Sequence, residues 1–419
     1  MNILKSKKII AIEIDCGFNG VKIDINKKLY SFPSYIIPLD SEKEIILNGS
    51  DEFDRIIYSE RLSNQGALSY IIGDTAETLI NHYPATGKYR ELINDLKELP
   101  KFFGMTEAIY LIRAAIAYSL VKYSDDNNIG FTLDKLDTYT IYVGITLPHS
   151  LKNQAYGYLR GPLSEPISLN LQINDEMFTI DLNIDNENIL GSSQVLAVFT
   201  NLLFDEDGNI SADYENVLNM LPAVICDGGY RTQGIASIRK GTSLMVEKVH
   251  SYEEYSMIEV NKKVAAIIND NAQKNTLVNY NPIREYDIDQ YIRSKTDFVY
   301  DIEDNNTKIG KRRIRVNFEE IEQLKHQVLK EMSEEYCEFL INQYDIGNAK
   351  TLFLAGGTGA AYSEMIKQYI DEYTNGEVKT ILFEETYNGE PISPVFSIVV
   401  GAHKDLMHSI NAKYQNNGN

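Results

Sequence analysis

The sequence has no tryptophan, few cysteines and fewer basic residues than acidic ones. Its 419 residues include 40 Lys and Arg against 60 Asp and Glu, which gives a formal net charge of −20. A surface of that sign repels nucleic-acid phosphates, so direct binding of DNA is not expected. The three cysteines lie far apart without a CxxC pair, which argues against a disulfide framework or a zinc knuckle and favours a reducing cytoplasm.

Long apolar runs are also missing. The N-terminal residues lead into the first predicted strand without the apolar core of a signal peptide, and no segment has the length of a membrane span. We therefore expect a soluble cytoplasmic protein with no membrane partner. Hydrophobic residues make up 43% of the chain, which is enough for real cores, and its length allows two or three domains.

Several common catalytic signatures do not occur. The six histidines show no HExxH or other metal-ligand spacing, and the sequence contains no G-x-S-x-G nucleophile elbow. A glycine-rich turn at residues 356–359 is not followed by the Gly-Lys-Ser/Thr of a P-loop and does not have the spacing of a dinucleotide fingerprint. A nucleotide site in this chain must therefore be of another type.

The most informative stretch is residues 223–232, an apolar run that ends in Asp227-Gly228-Gly229. Such a run predicts a buried strand that enters a tight turn. Glycines leave backbone amides accessible to a phosphate, and the adjacent aspartate can hold a metal ion directly or through water. Taken alone, the same residues are equally compatible with an ordinary hairpin, because Asp-Gly and Gly-Gly are strong turn formers.

A second stretch of the same kind lies at residues 9–25. When Asp15 is aligned on Asp227, Gly17 falls on Gly229, so both halves of the protein contain a strand, an acidic turn and a second strand. A repeat this short is weak evidence of duplication, but two facing turns could hold one polyphosphate from both sides.

A third stretch, residues 351–362, predicts a buried strand, a glycine turn and a helix that continues to Tyr373. A glycine turn before a helix N-terminus is a natural seat for a nucleotide. Ser193 is a plausible N-cap for a short helix at residues 194–203, which places Gln194 in its first turn. On its own, a glutamine there is usually a solvated or capping residue.

Hydrophobic periodicity predicts the remaining elements. We expect helices at residues 106–123, 252–272 and 318–344, a strand at 138–147, and hairpins at 21–32 and 169–184. Residues 33–90 and 280–315 have weak periodicity and are interpreted as inserted, irregular regions.

The three motifs, in this order, resemble the first phosphate, second phosphate and adenosine motifs of the actin, heat-shock chaperone and sugar kinase superfamily. Within it, the chain most resembles bacterial actin-like plasmid-segregation proteins of the ParM type. The features that carry this resemblance are Asp15-x-Gly17 with Lys22, Asp227-Gly228-Gly229 with Thr232, residues 354–359, the strand at 143–148, the helix that begins at Gln194, and Pro394-Val395-Phe396 before Val400-Gly401-Ala402.

The resemblance implies an α/β protein with an actin-like (ribonuclease H-like) two-domain fold, in which mixed sheets are flanked by helices and the nucleotide lies in the interdomain cleft. Domain I would comprise residues 1–221, with an inserted subdomain at about 33–90, and the C-terminal helix 395–419 would return to it. Domain II would comprise residues 222–394, with an inserted subdomain at about 252–315.

The resemblance also implies roles for individual residues. Gln194 would orient the attacking water, and Asp15 and Asp227 would hold a hydrated Mg²⁺, with Asp227 contributing to catalysis. Lys22 would bring a positive charge to the phosphates. The nucleotide-binding set would be Asp15, Gly17, Phe18, Asn19, Gly20, Lys22, Gly228, Gly229, Tyr230, Thr232, Gly356, Gly357, Thr358 and Gly359. Arg231-Thr232-Gln233 departs from the hydroxyl-rich pattern of many relatives, so the hydrolysis rate and the metal geometry stay open.

The implied function is that of a filament-forming ATPase, with GTP as a possible substrate, which segregates plasmid DNA through a DNA-binding adaptor protein. One alternative is a small-molecule kinase of the same superfamily, although the sequence has no tryptophan and no convincing sugar motif. Another is a cell-shape or division actin, but residues 409–419 are too polar for an amphipathic membrane helix.

Overall fold

The computed structural model describes residues 8–17, 20–39, 55–62, 66–76, 106–125, 131–241, 244–275, 282–302, 312–383 and 385–416. The strands are β1 (Ile9–Cys16), β2 (Val21–Ile25), β3 (Lys28–Phe32), β4 (Ile36–Pro38), β5 (Ile56–Leu62), β6 (Gly66–Ile72), β7 (Thr140–Leu147), β8 (Ile167–Ile173), β9 (Glu176–Leu182), β10 (Ile189–Ser193), β11 (Ala223–Gly228), β12 (Gln233–Lys240), β13 (Leu244–Tyr252), β14 (Phe298–Ile302), β15 (Arg312–Val316), β16 (Thr351–Ala355), β17 (Lys379–Leu382), β18 (Glu385–Tyr387) and β19 (Glu390–Ile392). The helices are α1 (Thr106–Ser124), α2 (Lys152–Leu163), α3 (Gln194–Leu203), α4 (Tyr214–Asn219), α5 (Met257–Asn275), α6 (Glu285–Ser294), α7 (Phe318–Tyr344), α8 (Gly356–Thr374) and α9 (Ser397–Asn416).

The chain divides into two compact units. Unit 1 comprises Met1–Asn219 and Glu384–Asn419, and unit 2 comprises Met220–Phe383. No helix in the described part of the chain is both long enough and apolar enough to cross a membrane.

The main sheet of unit 1 has the strand order β10-β7-β1-β2-β3. The β10, β7 and β1 strands are parallel, whereas β1, β2 and β3 form an antiparallel meander. Alternate residues of β1 pack on opposite faces of the sheet: Ile10, Ile12 and Ile14 belong to the large core that includes α1, while Ile9 and Ala11 pack against α9. Because both faces are covered, β1 is almost continuously apolar, as is usual for a central strand.

A second sheet in unit 1 has the order β4-β6-β5-β8-β9. It joins three strands of the predicted insertion at residues 33–90 to the predicted hairpin of β8 and β9. Arg113 on α1 donates a hydrogen bond to Glu60 on β5 at 2.8 Å, and both side chains are buried. This ion pair ties the second sheet to the helix that covers the first. Residues 40–54, 63–65 and 77–90 of the predicted insertion lie outside the described residues.

The sheet of unit 2 has the order β13-β12-β11-β16-β17. Its core contains Val224 and Cys226 of β11, Leu352 and Leu354 of β16, and residues of α5, α7 and α8. All three cysteines of the protein are buried. Burial raises the pKa of the Cys226 thiol to about 12, so this side chain acts as a small packing residue rather than as a nucleophile.

Two expectations for unit 2 are wrong. Helix α5 begins at Met257 and not at residue 252, because Tyr252 ends the edge strand β13, which the sequence analysis did not predict. Most β13 side chains are partly or fully exposed, so this strand has no buried apolar alternation to reveal it. Residues 280–315 are also not irregular throughout, since they contain α6 and the hairpin of β14 and β15.

Candidate functional site

The first acidic turn places Asp15 at the end of β1, opposite Lys22 on β2. The Lys22 ammonium donates to Asp15 Oδ2 at 2.9 Å, and the Asp15 side chain is only 1% exposed. The backbone N–H of Gly17 donates to the Gly20 carbonyl at 3.2 Å and closes the turn. The predicted phosphate ligands Phe18 and Asn19 lie outside the described residues.

Gln194 contacts the same carboxylate. It is the first residue of α3, and its Nε2 donates to Asp15 Oδ1 at 2.9 Å. Asp15 therefore accepts hydrogen bonds on both oxygens, from a cation on one side and a neutral amide on the other. The structure thus brings together three of the predicted site residues of unit 1, although Asp15 and Gln194 are 179 positions apart along the chain.

A buried carboxyl group that the sequence motifs did not reveal lies next to this turn. Glu13 is 1% exposed, and Thr146 donates to its Oε1 at 2.7 Å, while Ser192 donates to the same atom at 3.3 Å. Burial raises the pKa of Glu13 well above its usual range. Gly144 provides the space, since a Cβ there would lie 1.6 Å from a Glu13 carboxylate oxygen. An acid inside the apolar run of β1 is the signal that could have identified it.

The second acidic turn lies at the end of β11 in unit 2. Asp227 is 4% exposed, and the Gly229 N–H donates to the Thr232 carbonyl at 2.8 Å, which closes the turn. Gly228 packs directly against the first turn of α8: a Cβ on Gly228 would lie 2.2 Å from the backbone nitrogen of Gly359. Thr358 adds a hydrogen bond, because its hydroxyl donates to the Gly229 carbonyl at 2.6 Å.

The predicted adenosine motif forms the N-terminus of α8. Gly356 has φ +75°, and a Cβ there would lie 2.5 Å from the Gly228 carbonyl oxygen, so the motif requires glycine at this position. Gly357 and Ala361 are exposed, whereas Gly356, Thr358 and Gly359 are buried. The N-terminal part of α8 therefore exposes two residues without long side chains, beside a helix N-terminus of the kind that binds anionic groups.

Tyr230 contributes through its backbone rather than its ring. The ring packs against the core of unit 2, and its hydroxyl accepts a hydrogen bond from Asn261 at 3.4 Å. The Tyr230 carbonyl accepts from the Ile258 N–H at 2.8 Å, which ties the turn to the start of α5. Any contact of Tyr230 with a phosphate would therefore be made by its N–H group.

The chemistry of the two turns suits a hydrated magnesium ion. Mg²⁺ keeps several water ligands and is usually held by one or two carboxylates together with substrate phosphates. Each turn contributes one buried aspartate, Asp15 in unit 1 and Asp227 in unit 2. Within the described ranges, no group of three His, Cys, Asp or Glu residues forms a metal cage. Each of these aspartates is therefore a candidate ligand for such an ion within its own unit.

The sheet order of both units and the turns at the ends of β1 and β11 define the class: the chain has the actin-like fold. Among solved structures, it is similar to the actin-like protein Alp7A, with a TM-score of 0.66 and 14% identity over 98% of each chain. It is also similar to ParM in a 15-stranded filament from Clostridium botulinum, with a TM-score of 0.61 and 14% identity over 95% of this chain and 99% of that one.

A third similar structure is Bacillus thuringiensis ParM with AMPPNP, with a TM-score of 0.52 and 12% identity over 97% of this chain and 100% of that one. The fold is therefore that of ParM and of the actin-like protein Alp7A, as the motifs predicted. No protein-family model matches the sequence, and no curated protein matches it by sequence. The likeness is thus one of fold, at 12–14% sequence identity.

Proposed function

We propose that this protein is a filament-forming actin-like ATPase of the cytoplasm that segregates plasmid DNA, with GTP as a possible second substrate. The observation that carries the proposal is the arrangement around Asp15. A buried carboxylate, a lysine ammonium and a glutamine amide meet within hydrogen-bond distance at the end of the central strand of an actin-like fold. The presence of AMPPNP in a ParM structure of the same fold supports a nucleotide as the ligand.

The side chains at this turn have separate tasks. Lys22 is 22% exposed, so its ammonium can contact a phosphate as well as Asp15. Gln194 is a poor base because its amide is neutral, and its contribution would be to hold and orient the attacking water. Asp15 and Asp227 would hold a hydrated Mg²⁺, which would supply positive charge near the phosphates. The glycine turns would bring backbone N–H groups to the same phosphates.

Self-assembly is the second part of the proposal. One structure with this fold is a ParM filament, and identical head-to-tail contacts that do not close give an open polymer. The net charge of −20 makes direct contact with DNA unfavourable. The filament would therefore act on plasmid DNA through a basic, DNA-binding adaptor protein.

Sedimentation and negative-stain microscopy of the purified chain with magnesium and ATP, GTP or ADP test the proposal. We expect polymer with a nucleoside triphosphate and phosphate release that follows assembly. Gln194→Ala should slow phosphate release while it leaves nucleotide binding and polymer intact, and Thr200→Val, on the same helix, serves as its control. A protein that stays monomeric at high concentration with every nucleotide, or that phosphorylates a sugar instead, would contradict the proposal.

A further inference from the structure

Ser193 occupies the N-cap position of α3, directly before Gln194, but its hydroxyl does not cap the helix. Instead, Ser193 Oγ lies 3.1 Å from His149 Nδ1, within hydrogen-bond distance. His149 begins the short 3-10 helix His149–Leu151, which follows β7 after Pro148. A serine at the N-cap usually accepts a hydrogen bond from the backbone of its own helix. Here its hydroxyl instead connects α3 to the segment that follows β7.

Ser192, the residue before Ser193, is also held by hydrogen bonds to neighbouring strands. The Ser192 hydroxyl donates to Thr146 Oγ1 at 3.2 Å and to Glu13 Oε1 at 3.3 Å, and Ser192 pairs with Thr146 in the parallel ladder of β10 and β7. The two serines that precede Gln194 therefore both make side-chain hydrogen bonds to residues on β1, on β7 or directly after β7. The Gln194 amide then donates to Asp15 at 2.9 Å.

We propose that His149 is a positioning residue for nucleotide hydrolysis, which acts through Ser193 to hold Gln194 against Asp15. This inference rests on the proposed function and names a further residue of the same site. The glutamine side chain has three rotatable torsions, and its value in catalysis lies in placing one water molecule accurately. A fixed backbone at residue 193 restricts the position of the Gln194 Cα and Cβ atoms, from which its side chain extends. His149 itself need not contact the nucleotide.

The experiment compares variants of the full chain in steady-state hydrolysis of magnesium-ATP. His149→Phe and Ser193→Ala each remove the hydrogen bond, and we expect kcat to fall between about tenfold and a hundredfold while KM changes little. His149→Asn places an amide close to the position of Nδ1 and should restore kcat to within about twofold of wild type. Because one bond is lost in each case, the double variant His149→Phe, Ser193→Ala should be no slower than the slower single variant.

His408 provides the matched control at the other end of α3. Its ring stacks on Phe204, which is the C-cap residue of α3, at a centroid distance of 4.2 Å, and its Nδ1 lies 2.9 Å from the Gly208 carbonyl oxygen. His408→Phe changes the same residue type and removes a hydrogen bond, but it leaves the N-terminus of α3 unchanged. We expect a lower melting temperature with an unchanged kcat.

The outcomes separate this inference from the proposed function. If wild-type protein hydrolyses ATP and His149→Phe keeps the wild-type kcat, the inference fails and the proposed function stands. It also fails if His149→Asn does not recover activity, or if His408→Phe loses as much kcat as His149→Phe, because the effect would then be general instability. If the wild-type protein hydrolyses no nucleotide, both statements fail together.

Discussion

The two units contain the same five-stranded sheet. Read from the same edge, β10-β7-β1-β2-β3 in unit 1 corresponds to β17-β16-β11-β12-β13 in unit 2, and the parallel and antiparallel pairs fall at the same places. The register of the central hairpin is also the same: Asp15 faces Lys22 in one unit, and Asp227 faces Gly234 in the other. The structural correspondence supports the repeat that the short sequence alignment suggested.

The residues around the two aspartates differ in kind. In unit 1, Lys22 and Gln194 contact the carboxylate through side chains. In unit 2, the turn packs its backbone against the first turn of α8, and a glycine at 228 makes this approach possible. One copy of the motif thus provides charge and hydrogen-bonding side chains, whereas the other provides closely packed main chain. The same topology therefore carries two different arrangements of side chain and main chain around its aspartate.

Buried acids add a second difference. Glu13 and Asp24 are almost fully buried in unit 1, and the corresponding positions of unit 2 hold Ile225 and Ala236. Asp24 accepts a hydrogen bond from the Tyr387 hydroxyl at 2.5 Å, and the His403 ring lies 3.6 Å from it. These contacts attach the C-terminal segment of the chain to the N-terminal sheet. Polar contacts thus join segments of unit 1 that are distant in sequence.

The largest expected effect follows from replacing the two aspartates. Asp15→Asn and Asp227→Asn keep the side-chain size but remove a negative charge, so each should lower magnesium-dependent kcat by about a hundredfold or more, in the range found for lost electrostatic stabilisation. Phosphate release at saturating magnesium-ATP measures this. Asp24→Asn is the matched control, since it replaces a buried acid of the same sheet away from the turn. If either turn variant keeps full activity, the replaced aspartate is not required for magnesium-dependent turnover, and the prediction is wrong.

A smaller effect distinguishes the packing of the two turns. Gly228→Ala would place a Cβ 2.2 Å from the Gly359 nitrogen and 2.8 Å from the Thr358 carbonyl carbon, so backbone must move, and we expect a loss of about 3 kcal/mol in the free energy of unfolding. Gly17→Ala meets the Gly20 carbonyl oxygen at 3.1 Å and the flexible Lys22 ammonium at 3.3 Å, so it should cost no more than about 1 kcal/mol.

Urea denaturation followed by circular dichroism compares these two alanine variants. The slope of the transition should stay the same, so that a change of midpoint reports stability alone. Equal losses for Gly17→Ala and Gly228→Ala would contradict the view that only the turn of unit 2 depends on close backbone packing.

Local patterns in the sequence predicted the elements that carry the site. Helix α7 has the predicted bounds because Asn317 and Glu320 form a capping box before a long amphipathic segment. Helix α3 begins at Gln194 as predicted, and the order of the three turn motifs led to the fold. Each of these motifs is contained in a short stretch of the chain, which is why a single sequence reveals it.

The contacts that the sequence did not reveal join distant segments. His149 and Ser193 are 44 positions apart, and Asp24 and Tyr387 are separated by 363. Neither pair has a local pattern, because each depends on which strands become neighbours in the sheet. Ser193 was predicted as an N-cap, and it lies at that position, but tertiary structure directs its hydroxyl elsewhere. The N-cap propensity of serine thus predicted the position of Ser193, whereas its hydrogen-bond partner depended on the whole fold.

The last prediction concerns pH dependence, because Glu13 and Asp24 of unit 1 correspond to the apolar residues Ile225 and Ala236 of unit 2. Burial raises the pKa of Asp24 to about 8 from an ordinary value of 3.8, so between these values the folded chain keeps a proton that the unfolded chain releases. Stability should therefore fall as pH rises through this window, by at most about 1.4 kcal/mol per pH unit. Asp24→Asn removes the titrating group, so its stability relative to wild type should improve from pH 5 to pH 8.

Denaturation of both proteins at each pH measures this difference. Burial lowers the pKa of His403 to about 3, so His403 reduces the stability of both proteins as pH falls below 6.5. Taking the difference in stability between Asp24→Asn and wild type largely cancels this contribution. Asp181→Asn, on the exposed face of β9, is the control for replacing an aspartate by its amide. If the stability difference between Asp24→Asn and wild type is constant across this pH range, Asp24 is ionised in the folded chain. Its hydrogen bonds would then stabilise the buried carboxylate.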